Sequence, residues 1–231
     1  MSKKGIFLDF YGTVVEEDDK YIHQICHNVS KSSLIKASAS DVGYFWWKEF
    51  MSMFTNSYNQ NFSKQRMLQI QSLENTIKYF QADSDAITLC SILFEHSQNA
   101  MMYSDSVEFL RTVSLPVIIL SNIDRQDILL SIKKNGINVK DIVTSEDVKS
   151  YKPRPEMFTL TLKKHKFNKE DVIHIGDSWS ADIVGANNVG IDSIWINRKM
   201  KEYNSDIQPL GICHNLVEAL VHINKTYRTF H

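Results

Sequence analysis

Asp9, Ser121 and Asp177 are the side chains of this sequence that are best placed for chemistry. Each follows a short run of β-forming apolar residues, and Gly12 lies three residues after the first of them. A carboxylate that follows a buried strand and precedes a glycine turn is in a position typical of a catalytic nucleophile. Backbone N–H groups of such a turn point inward, toward the site. For each residue alone, a simple turn cap is the alternative. Because parallel strands end at one edge of a sheet, their recurrence predicts that the three side chains converge.

The elements that would position these residues alternate along the chain. Glycines at positions 136 and 190 follow two helical patterns and suit their C-terminal ends. Alternation of strand and helix predicts an α/β fold, with helices on both faces of a parallel sheet. The predicted strands are 6–8, 117–120, 142–144, 172–175 and 193–196, and the predicted helices of this region are 124–135, 156–166 and 181–189.

A helical segment separates the first strand from the second. All four prolines fall between positions 116 and 209, and the residues before them show helical apolar periodicity. We therefore expect a core of residues 1–15 and 103–231, with residues 16–102 inserted as a four-helix cap domain. The predicted cap helices are 21–35, 41–57, 63–79 and 83–101.

The composition narrows the functional classes. The chain has 231 residues and a formal net charge of -1, without the basic stripe that a nucleic-acid partner would require. No apolar stretch approaches the length of a membrane-spanning helix, so we expect no membrane partner. The three cysteines show no paired spacing, which is typical of free thiols in a reducing compartment. We expect a cytoplasmic protein.

Four motifs, in this order, resemble those of the haloacid dehalogenase superfamily of aspartate-nucleophile hydrolases. They are the segment Asp9-Phe10-Tyr11-Gly12-Thr13, the pair Ser121-Asn122, Lys152 before Pro153, and the acidic segment 176–182, which contains Asp177 and Asp182. The resemblance covers nearly the whole chain and places residues 16–102 where subfamily I of this superfamily inserts its helical C1 cap. It implies a Rossmann-like core and hydrolase activity.

The resemblance also implies roles for the motif residues. Asp9 would be the nucleophile, and Lys152 would bridge it to the substrate as a fixed positive charge. Mg2+ would be held by Asp9, the backbone carbonyl of Tyr11 and Asp177, with Asp182 supporting these ligands. The phosphate of a small phosphorylated metabolite would be bound by Lys152 and by the remaining polar groups of the motifs, namely Ser121, Asn122, Gly12 and Thr13. Charge argues for the metal, because an anionic nucleophile and an anionic ester repel unless a cation lies between them.

Tyr11 departs from the usual phosphatase pattern. Phosphatases of this family usually have a second aspartate at this position, which protonates the leaving oxygen and later activates water. A phenol with an ordinary pKa near 10 is a poor base at neutral pH, although it can donate a hydrogen bond to the reacting groups. We therefore interpret the chain as an enzyme of slow turnover that favours leaving groups of low pKa.

Tyrosine at position 11 is also what the 2-haloacid dehalogenases of the superfamily carry, so metal-independent dehalogenation through an ester on Asp9 is the main alternative. Those enzymes use an early cap arginine to hold halide and lack the acidic fourth motif. Here the first arginine after Thr13 is Arg66, and the acidic motif is present. These two features favour a Mg2+-dependent phosphatase. A weakly active or non-catalytic ligand-binding protein is a third possibility, supported by Tyr11 alone.

Overall fold

Six parallel strands form a sheet in the order β3-β2-β1-β4-β5-β6. The structure is a computed structural model that describes residues 3–228. The strands are β1 (Gly5–Leu8), β2 (Val117–Ser121), β3 (Asp141–Thr144), β4 (Val172–Gly176), β5 (Asp192–Ile196) and β6 (Gly211–Cys213).

Helices lie between the strands and, in larger number, between β1 and β2. Four of them follow β1, namely α1 (Asp19–Ser32), α2 (Ala39–Asn56), α3 (Gln65–Tyr79) and α4 (Ala86–Asn99). The others described are α5 (Ser104–Thr112), α6 (Arg125–Asn135), α7 (Ser145–Val148), α8 (Glu156–His165), α9 (Gly185–Asn188) and α10 (Leu216–Arg228). Among the described helices, none is both long enough and apolar enough to cross a membrane.

The predicted α/β fold with a parallel sheet is confirmed. Four elements were not predicted: α5, α7, β6 and α10. Three of them are hard to detect because α5 has nine residues, α7 has four and β6 has three, too few for a clear apolar period. The predicted helix 181–189 is instead a π-helical segment, Trp179–Val184, followed by α9. Its wider turn places the N–H of Ile183 on the carbonyl of Ser178, and such turns are frequent at functional sites.

Each face of the sheet buries its own apolar cluster. Ile6 and Leu8 of β1 pack with Phe109 of α5 in one cluster, whereas Phe7 packs with Phe158 of α8 in the other. Successive strand residues point to opposite faces, so this short strand serves both clusters. Burial of each such side chain contributes about 1.5 to 3 kcal/mol, which fixes β1 and therefore the residue that follows it.

Helices α1 to α4 enclose a third cluster. Ile25, Trp46, Leu73 and Cys90 are buried there, one from each of the four helices. The indole N–H of Trp46 donates to the hydroxyl of Ser72 at 3.0 Å, which satisfies its polar atom inside the cluster. These helices lie within residues 16–102, and the division of the chain into cap and core at those boundaries stays a prediction.

Two buried carboxylates of α6 and its N-terminal cap join the cap helices to the sheet region. Asp124 accepts the backbone N–H groups of Gln65 and Arg66 at 2.8 and 3.2 Å, so the N-cap residue of α6 also caps α3. Asp127 accepts the Nε of Arg66 at 2.6 Å and the side-chain amide of Gln98 at 2.9 Å. These contacts fix the start of α3 and the end of α4 over the carboxyl ends of the strands.

Candidate active site

The candidate site lies where the strand order reverses. β1 and β4 pair in parallel, and Asp9 and Asp177 come directly after them. In open α/β sheets this switch point opens a crevice beyond the carboxyl ends of the strands. A cavity of about 600 Å³ occupies this position, and its wall includes Asp9, Ser121, Lys152, Asp177 and Asp182. The structure therefore brings together residues from all four motifs.

Lys152 lies at the centre of this arrangement. Its ammonium donates to Asp9 Oδ1 at 2.7 Å, to Asp182 Oδ1 at 2.6 Å and to the carbonyl of Leu120 at 2.8 Å. Burial opposes its charge, but Asp182 and Asp9 outweigh that effect and raise the pKa of Lys152. With a side chain only 1% exposed and three acceptors, Lys152 is a fixed positive charge beside the carboxylate of Asp9.

The carboxylates outnumber this cation. Single oxygens of Asp9, Asp177 and Asp182 all lie within 4.8 Å of one another. Burial raises the pKa of Asp9 to about 6, against the opposing effect of Lys152. Burial, and then the neighbouring Asp9 and Asp182, hold the pKa of Asp177 well above its usual value. One ammonium cannot neutralise three carboxylates, so the cluster at neutral pH requires either bound protons or a further cation.

The donor set suits a hard divalent cation. All three side chains offer carboxylate oxygens, which Mg2+ prefers, and the adjoining cavity leaves room for the waters that this ion usually keeps. The raised pKa of Asp177 is the physical sign of the fit, since a bound cation would remove the repulsion that causes part of it.

Asp182 is held more firmly than the other two acids. It accepts His174 Nε2 at 2.9 Å and the backbone N–H of Ser178 at 3.0 Å, in addition to Lys152. Burial raises its pKa, but Lys152 and His174 prevail and lower the pKa of Asp182 to about 2. Burial lowers the pKa of His174, so a neutral imidazole donates through Nε2. Asp182 is thus an ionised acid that orients Lys152.

Two residues of the first motif hold Asp177. Thr13 Oγ1 donates to Asp177 Oδ1 at 3.1 Å. Gly12 has a φ of +82°, and a Cβ there would lie 2.7 Å from Asp177 Oδ2, so only glycine fits without strain. Both residues lie beside Asp177 and are absent from the residues that line the catalytic cavity. The predicted contact of Gly12 and Thr13 with phosphate stays a prediction. In the structure both residues lie against Asp177.

The residues of the second motif have separate tasks. Ser121 is buried at the end of β2 and lines the cavity, as a phosphate donor would. The side chain of Asn122 binds the backbone of Lys152. Its Oδ1 accepts the N–H of Lys152 at 2.8 Å, and its Nδ2 donates to the carbonyl of Lys152 at 3.1 Å. Its predicted role in phosphate binding stays a prediction, but its amide already fixes the loop that carries the lysine.

Tyr11 is turned toward the cap. Its phenol donates to the backbone carbonyl of Ser97 in α4, and burial raises its pKa further above the ordinary value. A phenol in this state does not act as a base at neutral pH. The predicted catalytic role of Tyr11 stays a prediction. The structure shows a hydrogen bond from the first motif to α4.

Arg198 is a residue that the sequence analysis missed. Its guanidinium donates to the carbonyls of Thr13 and Gly12 at 2.7 and 3.2 Å and pairs with Asp105 at 2.8 Å. It therefore pins the turn that follows Asp9. No signal in the sequence indicates this role, because Arg198 lies far from the first motif along the chain and belongs to no motif.

Arg66 is the first arginine after Thr13, and its guanidinium is already engaged. It forms a two-point ion pair with the buried Asp127 and lies 4.3 Å from the centre of the Phe94 ring. Among the residues that line the catalytic cavity, none is an arginine. The early cap arginine that would hold halide in a dehalogenase therefore has no counterpart in the described cavity wall.

Comparisons with known proteins agree with this geometry at the level of the superfamily. A family model described as "Haloacid dehalogenase-like hydrolase" matches residues 6–196. The (S)-2-haloacid dehalogenase of Pseudomonas fluorescens is 24% identical, over 93% of this chain and 94% of that protein. The ribulose-1,5-bisphosphate 5-phosphatase of Halopiger xanaduensis is 29% identical, over 39% of this chain and 38% of that protein.

Solved structures share the fold over almost the whole chain. An L-2-haloacid dehalogenase superposes with a TM-score of 0.78 and 16% identity, over 97% of this chain and 100% of that one. The putative HAD-hydrolase YfnB from Bacillus subtilis, in a crystal form bound to magnesium, superposes with a TM-score of 0.76 and 18% identity, over 97% and 100% of the two chains. The predicted superfamily and Rossmann-like core are confirmed.

Proposed function

Since the chain belongs to the haloacid dehalogenase-like hydrolase family, we propose that it is a Mg2+-dependent phosphatase acting on a small phosphorylated metabolite through an intermediate on Asp9. The observation that carries this proposal is the cluster of three carboxylates served by a single lysine. Asp9, the backbone carbonyl of Tyr11 and Asp177 would hold the metal. When bound, Mg2+ would offset the negative charge that carboxylates and phosphate bring together.

In this proposal Asp9 Oδ attacks the phosphorus atom and the bond to the leaving oxygen breaks, which gives an aspartyl phosphate. Lys152 keeps the attacking carboxylate in place and offsets charge on the phosphate. Ser121 donates to a phosphate oxygen. Water then hydrolyses the aspartyl phosphate, releasing phosphate and restoring the carboxylate of Asp9. Position 11 supplies no acid to the leaving oxygen, because the phenol of Tyr11 donates to Ser97.

Dehalogenation is the second candidate, and a specific observation favours it. A relative that matches 93% of the chain is named an (S)-2-haloacid dehalogenase, whereas a relative named a phosphatase matches 39%. Tyr11 also suits this chemistry, in which Asp9 would attack the carbon that bears the halogen and expel halide. Against it stand the engaged guanidinium of Arg66 and the acidic pair Asp177 and Asp182 beside a substrate that itself carries a carboxylate.

A hydrolysis panel separates the two reactions. Purified protein is incubated with phosphate esters and with (S)-2-chloropropionate, each in the presence of Mg2+ and of a chelator, and free phosphate and chloride are measured. We expect phosphate release that requires Mg2+ and no chloride release. Chloride released equally with metal and with chelator would overturn the phosphatase proposal in favour of dehalogenation.

Tyr11→Asp tests the leaving-group argument. The substitution restores the carboxylic acid that phosphatases of the family usually have at this position, and such an acid contributes about 10² to 10⁴ in rate. We expect turnover of alkyl phosphates to rise by at least about 10-fold, with a smaller change for aryl phosphates. The measurement is kcat/KM across a series of esters of increasing leaving-group pKa.

Tyr11→Phe is the matched control for that series. Both substitutions remove the phenol that donates to Ser97, but Tyr11→Phe supplies no acid. Any effect of losing this contact with α4 therefore appears in both variants. A change in the slope against leaving-group pKa should occur only in Tyr11→Asp. Equal changes for alkyl and aryl esters in both variants would show that position 11 acts on the cap alone.

A further inference from the structure

The cap helices contain a second cavity that the mechanism above does not use. It measures about 200 Å³, and its apolar wall is formed by Ile22, Trp46, Trp47, Phe50 and Leu93. Gly43, which has no side chain, also lines it. The polar residues of the wall are Asp18, Gln65 and Gln69. A cavity with mostly apolar walls and a few polar groups is the usual form of a small-molecule site.

This cap cavity adjoins the catalytic cavity. Gln65 lines both of them, and the chain neighbours Glu17 and Asp18 line one each. The backbone N–H of Gln65 is held by the buried Asp124 at 2.8 Å, so the first residue of α3 is fixed between the two spaces. The mostly apolar cavity and the cavity that contains Asp9 therefore meet at Gln65.

We propose that the cap cavity binds the leaving group of the substrate, and that this group is an aromatic ring, which makes the substrate an aryl phosphate. The proposal rests on the proposed phosphatase function and adds to it the class of substrate. Trp46, Trp47 and Phe50 of α2 and Gln65 of α3 would be the specificity-determining residues.

Size and wall chemistry support a ring. A cavity of about 150 Å³ with apolar walls is enough to hold benzene, and this one is about 200 Å³. Indole and phenyl faces favour contact with another ring in stacked or edge-to-face geometry. Trp46 keeps a fixed orientation because its N–H is bonded to Ser72, and Trp47 and Phe50 already lie 6.3 Å apart, centre to centre, at a tilt of 32°.

The chemistry of the site points to the same class. Tyr11 donates to the backbone of α4, so position 11 supplies no carboxylic acid to protonate the leaving oxygen. Aryl oxides depart far more readily than alkyl oxides because their conjugate acids are stronger. An enzyme with no acid at position 11, and with an aromatic cavity that shares Gln65 with the catalytic cavity, is suited to an aryl ester on both counts.

The test compares two substrates that both have good leaving groups but differ in apolar bulk, 1-naphthyl phosphate and acetyl phosphate. Trp47→Ala and Phe50→Ala should each lower kcat/KM for 1-naphthyl phosphate by about 10-fold, through KM. Turnover of acetyl phosphate should stay within about twofold, because it places nothing in the cap cavity. Trp47 is 61% exposed and Phe50 is only partly buried, so neither variant removes a core residue.

Tyr44→Ala is the matched control. Tyr44 lies on the same helix, is 74% exposed and is absent from the residues that line the cap cavity, so its removal should leave both substrates unaffected. Equal losses on both substrates in Trp47→Ala and Phe50→Ala, or no loss on either, would overturn the inference.

A binding measurement keeps this inference separate from the proposed function. The affinity of 1-naphthol is measured by calorimetry for the wild type and the three variants, without any turnover. Binding that weakens about 10-fold in Trp47→Ala and Phe50→Ala but not in Tyr44→Ala supports the cavity, even if the hydrolysis panel releases no phosphate. Absence of 1-naphthol binding to the wild type would refute the cavity inference, even if phosphate esters are hydrolysed.

Discussion

Asp9→Asn should abolish turnover of every substrate, with a loss of at least about 10⁴-fold in kcat, equivalent to about 5.4 kcal/mol of transition-state stabilisation. An amide has nearly the same shape as a carboxylate but cannot attack phosphorus or carbon. The variant should keep its fold, because Lys152 retains Asp182 and the carbonyl of Leu120 as acceptors. Phosphate release is measured with Mg2+, alongside far-ultraviolet circular dichroism.

Asp19→Asn is the matched control for the loss of a carboxylate. Asp19 opens α1, its side chain is 59% exposed, and it pairs with Lys199 outside the catalytic cluster. We expect turnover within about twofold of wild type, since exposed ion pairs contribute little. Residual activity of Asp9→Asn above about one part in a hundred would rule out Asp9 as the nucleophile.

A phosphate mimic allows wild type and Asp9→Asn to be compared even if turnover is too slow to measure. Fluoroberyllate with Mg2+ should bind wild type at Asp9 and raise its melting temperature, whereas Asp9→Asn should show no such shift. A protein that only binds a ligand elsewhere need not respond to fluoroberyllate at all. This measurement therefore separates a slow hydrolase from the non-catalytic alternative.

The sequence predicted the position of a site residue best where that residue directly follows a strand. Asp9, Ser121 and Asp177 could be predicted to converge because the apolar runs before them identify buried parallel strands, and parallel strands end at a common edge. The alternation of strand and helix likewise indicated the α/β fold. Short elements such as β6 escaped because three residues carry too little pattern.

The tasks of individual side chains were less predictable, because they depend on contacts between distant segments. Asn122 binds the backbone of Lys152, and Arg198 holds the turn after Asp9, each across a long stretch of chain. Tyr11 could be identified as a departure from the family pattern, but only the docked position of α4 shows that its phenol reaches Ser97. No local propensity encodes such pairings.

Asp177→Asn should make the metal-free protein more stable and remove its response to Mg2+. The pKa of Asp177 is raised by burial and by Asp9 and Asp182, so its ionised form destabilises the fold in the absence of a cation. An amide keeps the shape and can still accept from Thr13 Oγ1, but it has no charge. In wild type, Mg2+ at about 100 times its Kd should raise the melting temperature by about 5 to 10 °C. The variant should melt higher without metal and show no shift.

The dependence on pH has a definite sign. The folded-state pKa values of Asp9, about 6, and of Asp177 lie above their unfolded values. Metal-free wild type should therefore be most stable below about pH 4 with respect to these groups, and should lose that stability as pH rises through the raised values. Asp177→Asn should lose less over the same range. Mg2+ should restore stability to wild type as pH rises through these raised values, because the ionised carboxylates are then available as ligands.

The same variant decides between the two chemistries by its effect on turnover. A Mg2+-dependent phosphatase loses a metal ligand in Asp177→Asn, so phosphate release should fall by at least about 100-fold at a Mg2+ concentration that saturates wild type. A metal-independent dehalogenase has no use for an ionised Asp177, and a neutral amide there would leave chloride release intact or raise it by reducing repulsion of the substrate carboxylate. Unchanged thermal stability with and without Mg2+ in wild type, together with chloride release that survives the substitution, would show that protons rather than a metal neutralise this cluster.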